Sequence, residues 1–440
     1  MISGEPVPDP TLPPGVAMLP WPDRFEDFHD GIGISFESFR DELTGGWLFN
    51  YVEAFQRAGV RPFLYYFSAR TRRPLRFTHG PTGVPVRVLP SPLLHRKVRG
   101  ARERYRPRSE PLRLVESYLA TPLRPLARQI RADGCGAILC HEYEYPRFDV
   151  AVGLGRVLRL PVFGTFQGGE KPRSRMEVPI RRLAVRRAAG LIIPSTAQAE
   201  RARRRYRLPP ERVATIPNPM DVARWRPLPQ EAGRAELGIA SDAVVVTWQG
   251  RISIDQKGLD LLVEAWARVC ERRTSDAALL LLVGHGQDYA ALRRLLSSLP
   301  EVRVRWVDRY VKDREALWRY LAAADIVALP SRREGFPVAA VEALACGLPV
   351  VAADAPGMVD ALGDAGGIIV PRDDPDALAD ALDGLIGDPE ARGALGERGR
   401  RRAEERFSLE AVGAQLRSFM FGAGGAPDAA EARPGPRTLH

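Results

Sequence analysis

Two carboxylates eight residues apart, Glu334 and Glu342, frame the stretch Ser331–Asp354, SRREGFPVAAVEALACGLPVVAAD. A short apolar run, Ile326–Leu329, comes before it and ends at Pro330. Such a run reads as a buried parallel strand. The turn Ser331–Phe336 follows, and Pro337 opens a helix at the position where its missing N–H costs nothing. Gly335 and Phe336 therefore present backbone N–H groups at a helix N-terminus, a natural anion site. Glu334 lies just outside that helix and Glu342 about one and a half turns inside it. Carboxylates on both sides of a phosphate-binding helix end suit a ligand with hydroxyls flanking a phosphate group, such as a nucleotide sugar. The structural alternative is that Glu334 caps the helix and Glu342 is solvated.

A second set of residues carries cationic chemistry. Val244–Trp248 reads as a strand, followed by Gln249-Gly250-Arg251, then Lys257-Gly258 and an amphipathic helix from Leu259 to about Cys270. Arg251 and Lys257 on a strand-to-helix loop could clamp a diphosphate, Arg bidentately and Lys as a point charge. Taken alone, two basic residues on a loop are usually solvated.

Glu334, Gly335-Phe336-Pro337, Glu342 and the segment Ala345-Cys346-Gly347-Leu348-Pro349-Val350-Val351 together resemble the E-x7-E motif of retaining glycosyltransferases of the family 4, group 1 type. The resemblance covers roughly residues 31–421 and is strongest in 190–405. It implies an α/β protein of the GT-B fold, two doubly wound Rossmann-like domains facing a cleft. The donor would sit on the second domain and the acceptor mostly on the first. It implies Arg251 and Lys257 as the donor-phosphate pair and Glu334 as the third catalytic residue. Gly250, Gly335, Phe336, Pro337 and Glu342 would bind the donor. The turn Gly284-His285-Gly286 is similar to the family's G-x-G, and the loop holding Tyr310 and Val311 would touch the nucleotide base through its backbone.

The first half must supply the other wall. Gly31–Ser35 is a strand candidate, and Thr44-Gly45-Gly46-Trp47 leads into a helical pattern ending at Gly59. Strand, glycine loop and helix open a nucleotide-binding-like domain, and Gly45 and Gly46 resemble the family's cleft-facing glycine loop. Ala137–Cys140 reads as a strand ending at His141-Glu142, where α/β ligands bind; a satisfied structural histidine is the alternative for His141. Pro161–Thr165 reads as a strand ending in Phe166-Gln167-Gly168-Gly169. Relatives often carry His where Gln167 stands. Gln hydrogen-bonds but does not titrate, which leaves a sugar contact and removes proton transfer.

Composition bounds the rest. The chain has 440 residues and 45% hydrophobic content, enough for two α/β domains. Net charge is +10, mostly from Arg. Residues 96–113 hold eight Lys/Arg against two Glu, and 171–212 hold thirteen against three. These stretches are either solvated faces or patches for an anionic, lipid-linked or phosphorylated acceptor, with peripheral membrane contact. No apolar run reaches membrane-spanning length, and no basic-then-apolar leader opens the chain. Four cysteines (Cys135, Cys140, Cys270, Cys346) in no zinc spacing fit a reduced, cytoplasmic protein, placed at most peripherally on the inner membrane face. Asp374-Pro375-Asp376 spells D-x-D, a metal motif of another glycosyltransferase fold, but Asp as N-cap with Pro at N1 explains it.

The expected domains are a Pro-rich arm (1–30), an acceptor-side domain (31–220), a donor domain (221–405), a helix crossing back (406–421) and a disordered tail (422–440). The expected reaction moves a sugar from a nucleotide diphosphate sugar to a hydroxyl acceptor. It retains the anomeric configuration and uses neither metal nor cofactor. The alternatives are a non-catalytic nucleotide-sugar-binding protein, a hydrolase or epimerase of the same fold, and a basic nucleic-acid-binding protein. No aromatic-rich basic motif supports the last.

Overall fold

The structure, a computed structural model, describes residues 12–30, 33–44, 46–106, 108–168, 177–274, 278–309, 314–364 and 366–422. The chain divides into two compact units. One runs to Ile193, with Ala199–Ile216 and the residues from Gly413 onward; the other is Pro194–Gln198 with Pro217–Val412.

The first unit holds β1 (Gly15–Leu19), β2 (Arg61–Ser68), β3 (Leu75–Thr78), β4 (Pro85–Pro90), β5 (Cys135–Cys140), β6 (Val162–Thr165), β7 (Gly190–Ile192) and β8 (Val213–Ala214). They form one sheet in the order β3-β4-β2-β1-β5-β6-β7-β8. Every pairing is parallel except β3 with β4. Buried parallel strands read as continuous apolar runs, and LYYF in β2 and AILC in β5 do so. From Gly413 on, the last helix, Leu409–Phe421, packs on this unit. Gly413 lies against the Ala54 carbonyl, Arg417 donates to the Ala58 carbonyl at 2.7 Å, and Phe419 meets Phe163 with ring centroids 5.5 Å apart.

Residues 31 and 32 of the strand expected at Gly31–Ser35 lie outside the described residues, and its described part, residues 33–35, is not a strand: Ser35 instead caps a helix, Phe36–Asp41, by accepting from the Ser38 N–H. The opening strand lies within the stretch read as a Pro-rich arm. Gly15–Leu19 is wholly buried between β2 and β5. Its prolines, Pro13, Pro14 and Pro20, flank the run rather than interrupt it, so all five residues can join the ladder. The arm reading is therefore wrong for Gly15–Leu19; residues 1–11 lie outside the described residues.

The second unit holds β9 (Val244–Gln249), β10 (Ala278–Val283), β11 (Val304–Val307), β12 (Ile326–Leu329), β13 (Val350–Ala353) and β14 (Gly367–Val370). Their order is β11-β10-β9-β12-β13-β14, all parallel. Helices Leu259–Arg272, Val338–Ala345 and Pro375–Gly387 cover the sheet and close a core that includes Trp248, Trp266 and Leu382. Asp374 accepts from the Ala377 N–H at 2.9 Å with Pro375 at N1, the capping role read for D-x-D. Ser408 likewise receives the Ala411 N–H at 3.3 Å at the start of the last helix. The tail beyond Gly422 lies outside the described residues.

Met18 is fully buried at the middle of the first sheet. Met18→Ala should therefore cost about 2–4 kcal/mol, seen as earlier denaturant unfolding of the first unit. An unchanged midpoint would contradict a central β1.

Candidate functional site

In the second sheet the chain leaves β9 toward β10 on one side, while β12 lies on the other. The strand order turns back between β9 and β12, and loops leaving adjacent strands at such a point diverge to form a crevice. Register pairs Ile326 with Val246 and Val327 with Thr247, so the loop carrying Arg251 and Lys257 lies beside the loop carrying Glu334.

Three features hold those loops together. Gly258, at φ 64°, passes so close to the Pro330 carbonyl that a Cβ would stand 2.0 Å from its oxygen. The N–H groups of Arg332 and Arg333 donate to the Gln256 carbonyl at 3.0 and 3.4 Å. The Arg332 guanidinium grips both Asp260 oxygens at 2.8 Å, a bidentate pair that raises its pKa above the usual arginine value. On the other flank Gly284, at φ 146°, lies against the Gly250 carbonyl, where a Cβ would approach to 1.9 Å.

The result is a cavity of ≈ 440 Å³ lined by Gly250, Arg251, Lys257, Gly284, Glu334 and Glu342, among others. Lys257 Nζ donates to Glu334 Oε1 at 2.7 Å, and the Ser331 hydroxyl donates to the same oxygen at 2.8 Å. Gln249 Nε2 donates to Glu342 Oε2 at 2.9 Å, holding a buried carboxylate in place. Arg251 is exposed and touches Gln256 at 3.1 Å. Two buried groups on the cavity wall, the Trp248 indole N–H and Gln249 Oε1, have no hydrogen-bond partner among the described residues. Such groups are expensive in a closed core and ordinary where a ligand completes them.

Pro337 is the N-cap of Val338–Ala345 rather than its first residue. Pro337 and Phe336 line the cavity, and Gly335 lies beside them in the chain. No described residue accepts from the N–H of Gly335 or Phe336. Tyr310 and Val311 lie outside the described residues. Sequence reasoning missed Gln249 and Ser331 as site residues. Gln249 was open to discovery by the signal that marked His141, a polar residue at the carboxyl end of an apolar strand. Lys257 carried a further signal: the chain has 64 Lys and Arg, of which only Lys97, Lys171, Lys257 and Lys312 are Lys.

The cleft candidates of the first unit form their own cluster. Gly46, at φ 78°, begins the helix Gly46–Arg57; Gly45 lies outside the described residues. His141 is buried, with its ring centroid 4.8 Å from Trp47 and 5.2 Å from Tyr51. Its Nδ1 is 3.4 Å from the Thr165 hydroxyl, and its Nε2 has no partner among the described residues. Gln167 reaches the same hydroxyl through Nε2 at 3.4 Å and hydrogen-bonds Tyr51. Glu142 holds a left-handed backbone, φ 78°, and its carboxylate receives the N–H groups of Glu144 and Gln167 at 3.0 and 3.1 Å. Strain of this kind persists where its surroundings impose it, and here it ties the loops after β5 and β6 together.

Several guanidiniums of the basic stretches are held in ion pairs. Arg99 pairs with Asp27 at 2.8 Å, Arg102 with Glu116 at 2.6 Å, and buried Arg181 with Asp149 at 2.6 Å. Residues 171–176 lie outside the described residues.

A model described as Glycosyltransferase Family 4 matches residues 47–224, and one described as Glycosyl transferases group 1 matches 243–388. The chain belongs to the family 4, group 1 glycosyltransferases. Among curated relatives, this glycosyltransferase chain is 35% identical over 247 residues to D-inositol 3-phosphate glycosyltransferase of Saccharomonospora viridis, covering 54% of this chain and 57% of that protein. It is 33% identical over 215 residues to the GDP-mannose-dependent monoacylated alpha-(1-6)-phosphatidylinositol monomannoside mannosyltransferase of Corynebacterium glutamicum, covering 47% and 55%. The chain thus spans little more than half the length of these relatives. Among solved structures, HepE of Anabaena in complex with UDP has a TM-score of 0.65 at 19% identity, covering 92% of this chain and 98% of that one. Sucrose-phosphate synthase of Thermosynechococcus elongatus has a TM-score of 0.64 at 23% identity, covering 92% and 97%. These likenesses show the GT-B fold.

Burial pushes His141 down to about 3. Because the charged form is disfavoured in the folded protein, stability tied to this group is present above the unfolded pKa near 6.5 and is lost as pH falls below it. The ring should remain neutral by nitrogen NMR from pH 8 to about 5. A His141 titration near 6.5 would contradict its enclosure.

Proposed function

We propose that the chain transfers a sugar from a nucleotide diphosphate sugar to a hydroxyl acceptor, with retention at the anomeric carbon. The observation that carries this reading is the Lys257–Glu334 contact of 2.7 Å inside a cavity that also holds Glu342. The named activities of the curated relatives and the UDP complex of HepE support it.

The chemistry follows from charge. Breaking the glycosyl–phosphate bond builds negative charge on the departing diphosphate. Arg251, Lys257 and the N–H groups of Gly335 and Phe336 oppose that charge, a preorganised electrostatic route to a lower barrier. An arriving diphosphate competes with Glu334 for Lys257 and leaves the Glu334 carboxylate to accept from sugar hydroxyls. Glu342, oriented by Gln249, accepts from the ribose hydroxyls. No protein nucleophile is required in a front-face displacement, because the leaving phosphate oxygen takes the acceptor's proton. The two cations and the helix end supply this stabilisation without a metal ion.

The acceptor carries a hydroxyl on a glycan, lipid or small molecule. A cytoplasmic protein, in peripheral contact with the inner membrane face, completes the reading. Its supports are four unpaired cysteines and the absence, among the described residues, of a helix long and apolar enough to cross a membrane. Arg96 and Lys97 remain exposed for anionic headgroups.

Incubation with labelled UDP-, GDP- and ADP-sugars and a panel of glycan and lipid acceptors should yield product from one donor, with the donor's anomeric configuration by NMR. Lys257→Ala and Glu334→Ala should each lower kcat/KM by about 10²–10³-fold. Full activity in either folded variant, or sugar release to water alone with every acceptor, would overturn the proposal.

A further inference from the structure

Gln249 closes β9 on the wall of the second unit's cavity and is 5% exposed. Its amide has one acceptor end and one donor end, and chemistry fixes which is which. Glu342, 6% exposed, presents carboxylate oxygens, which as an anion accept and do not donate. The end of the amide that meets Glu342 Oε2 at 2.9 Å is therefore its nitrogen. Turning the amide over would set two oxygens against each other. Oε1 is then on the far side of the amide, where no described residue donates to it. The motif that marks Glu342 covers residues 334–351 and does not reach Gln249.

The remaining acceptor separates this side chain from a purely structural one. A Lys or Arg in its place would balance the Glu342 charge outright. An amide does not, and it leaves a buried oxygen that is costly until a donor reaches it. Gln249 Oε1 and the Glu342 carboxylate stand one amide group apart, and both residues line the same cavity. Two acceptors this close suit two hydroxyls on neighbouring carbons. On the same wall the fully buried Trp248 indole has its N–H without a partner among the described residues. A donor there suits an oxygen that carries no proton, such as a ring or ester oxygen. In a nucleotide diphosphate sugar both the ribose and the transferred sugar combine such groups. Glu334, beside Lys257 at the diphosphate, takes the transferred sugar, which leaves the ribose to Glu342 and Gln249.

We propose that Gln249 is a specificity residue for the donor: its Oε1 receives one ribose hydroxyl, its Nε2 holds Glu342 to receive the neighbouring one, and the pair rejects deoxyribose. The proposal rests on the transferase reading, which puts a nucleotide in this cavity. The rejection follows from an asymmetry of hydrogen bonding. A site built around hydroxyls loses far more when one is missing than an apolar pocket loses with a methylene, because a buried acceptor is left unpaired.

The test is calorimetric binding of UDP, GDP and ADP, and of their 2′-deoxy and 3′-deoxy forms, to the full chain. Wild type is compared with Gln249→Met, which keeps the length of the side chain and removes its polar atoms. The wild type should bind its preferred ribonucleotide at least about tenfold more tightly than either deoxy form. In Gln249→Met that ribonucleotide should weaken about tenfold or more, and its advantage over at least one deoxy form should shrink to about threefold or less. Inorganic pyrophosphate should raise the Tm of both proteins alike, which shows that the variant folds and that Arg251 and Lys257 still act. Equal binding of ribo and deoxy forms by the wild type would overturn the inference and leave the transferase reading standing; this result needs no variant. A variant that weakens every nucleotide by the same factor would also overturn it, because a structural side chain does that. Binding of none of the three nucleotides by the folded wild type would overturn both the inference and the reading beneath it.

Discussion

The adjacency of β9 and β12 is the constraint on which the second unit's site depends. Lys257 and Glu334 lie 77 residues apart in the chain and meet at 2.7 Å because their strands are neighbours with parallel, in-register pairing. Both loops leave the same edge of the sheet, and Gly258 removes the side chain that would hold them apart. The ion pair is 20% and 11% exposed at its two side chains. A pair this accessible adds at most about 1 kcal/mol to stability. Its consequence is functional: each partner is already positioned, and each can be taken over by a ligand group of the opposite kind.

The first unit repeats the same geometry. Its strand order also turns back once, and the loops that diverge there carry Trp21, Asp23, Glu26 and Tyr145, which line a second cavity. Both cavities contain buried polar atoms without hydrogen-bond partners among the described residues, at Trp248 and Gln249 in one and at Asp23 and Glu26 in the other. In a well-packed domain such atoms are few, and four of those found among the described residues line cavities at two topologically equivalent places.

Most of the second unit was legible in the sequence. Its strands are buried on both faces, so Ile326–Leu329 and Ala278–Val283 stand out as unbroken apolar runs with turn residues after them. The first unit was harder to read. Gly15–Leu19 is as apolar as any of these strands, but seven prolines in the first 30 residues suggested disorder. Leu75–Thr78, a largely exposed antiparallel edge strand, has no comparable run. Among site residues, the motif announced Glu334 and Glu342. The Gln249–Glu342 bond and the unpartnered oxygens of Asp23 and Glu26 follow only from tertiary packing. Local pattern carries no information about which loops a sheet will place side by side.

Thermal stabilisation by nucleotides tests the central claim most directly, because a ligand that binds only the native state must raise Tm. The full chain would be melted with UDP, GDP and ADP, alongside Lys257→Ala and Glu342→Ala. The account predicts that one nucleotide stabilises the wild type and that the effect is lost in both variants. No stabilisation by any of the three in a folded wild type, or the same stabilisation in the variants, would contradict it.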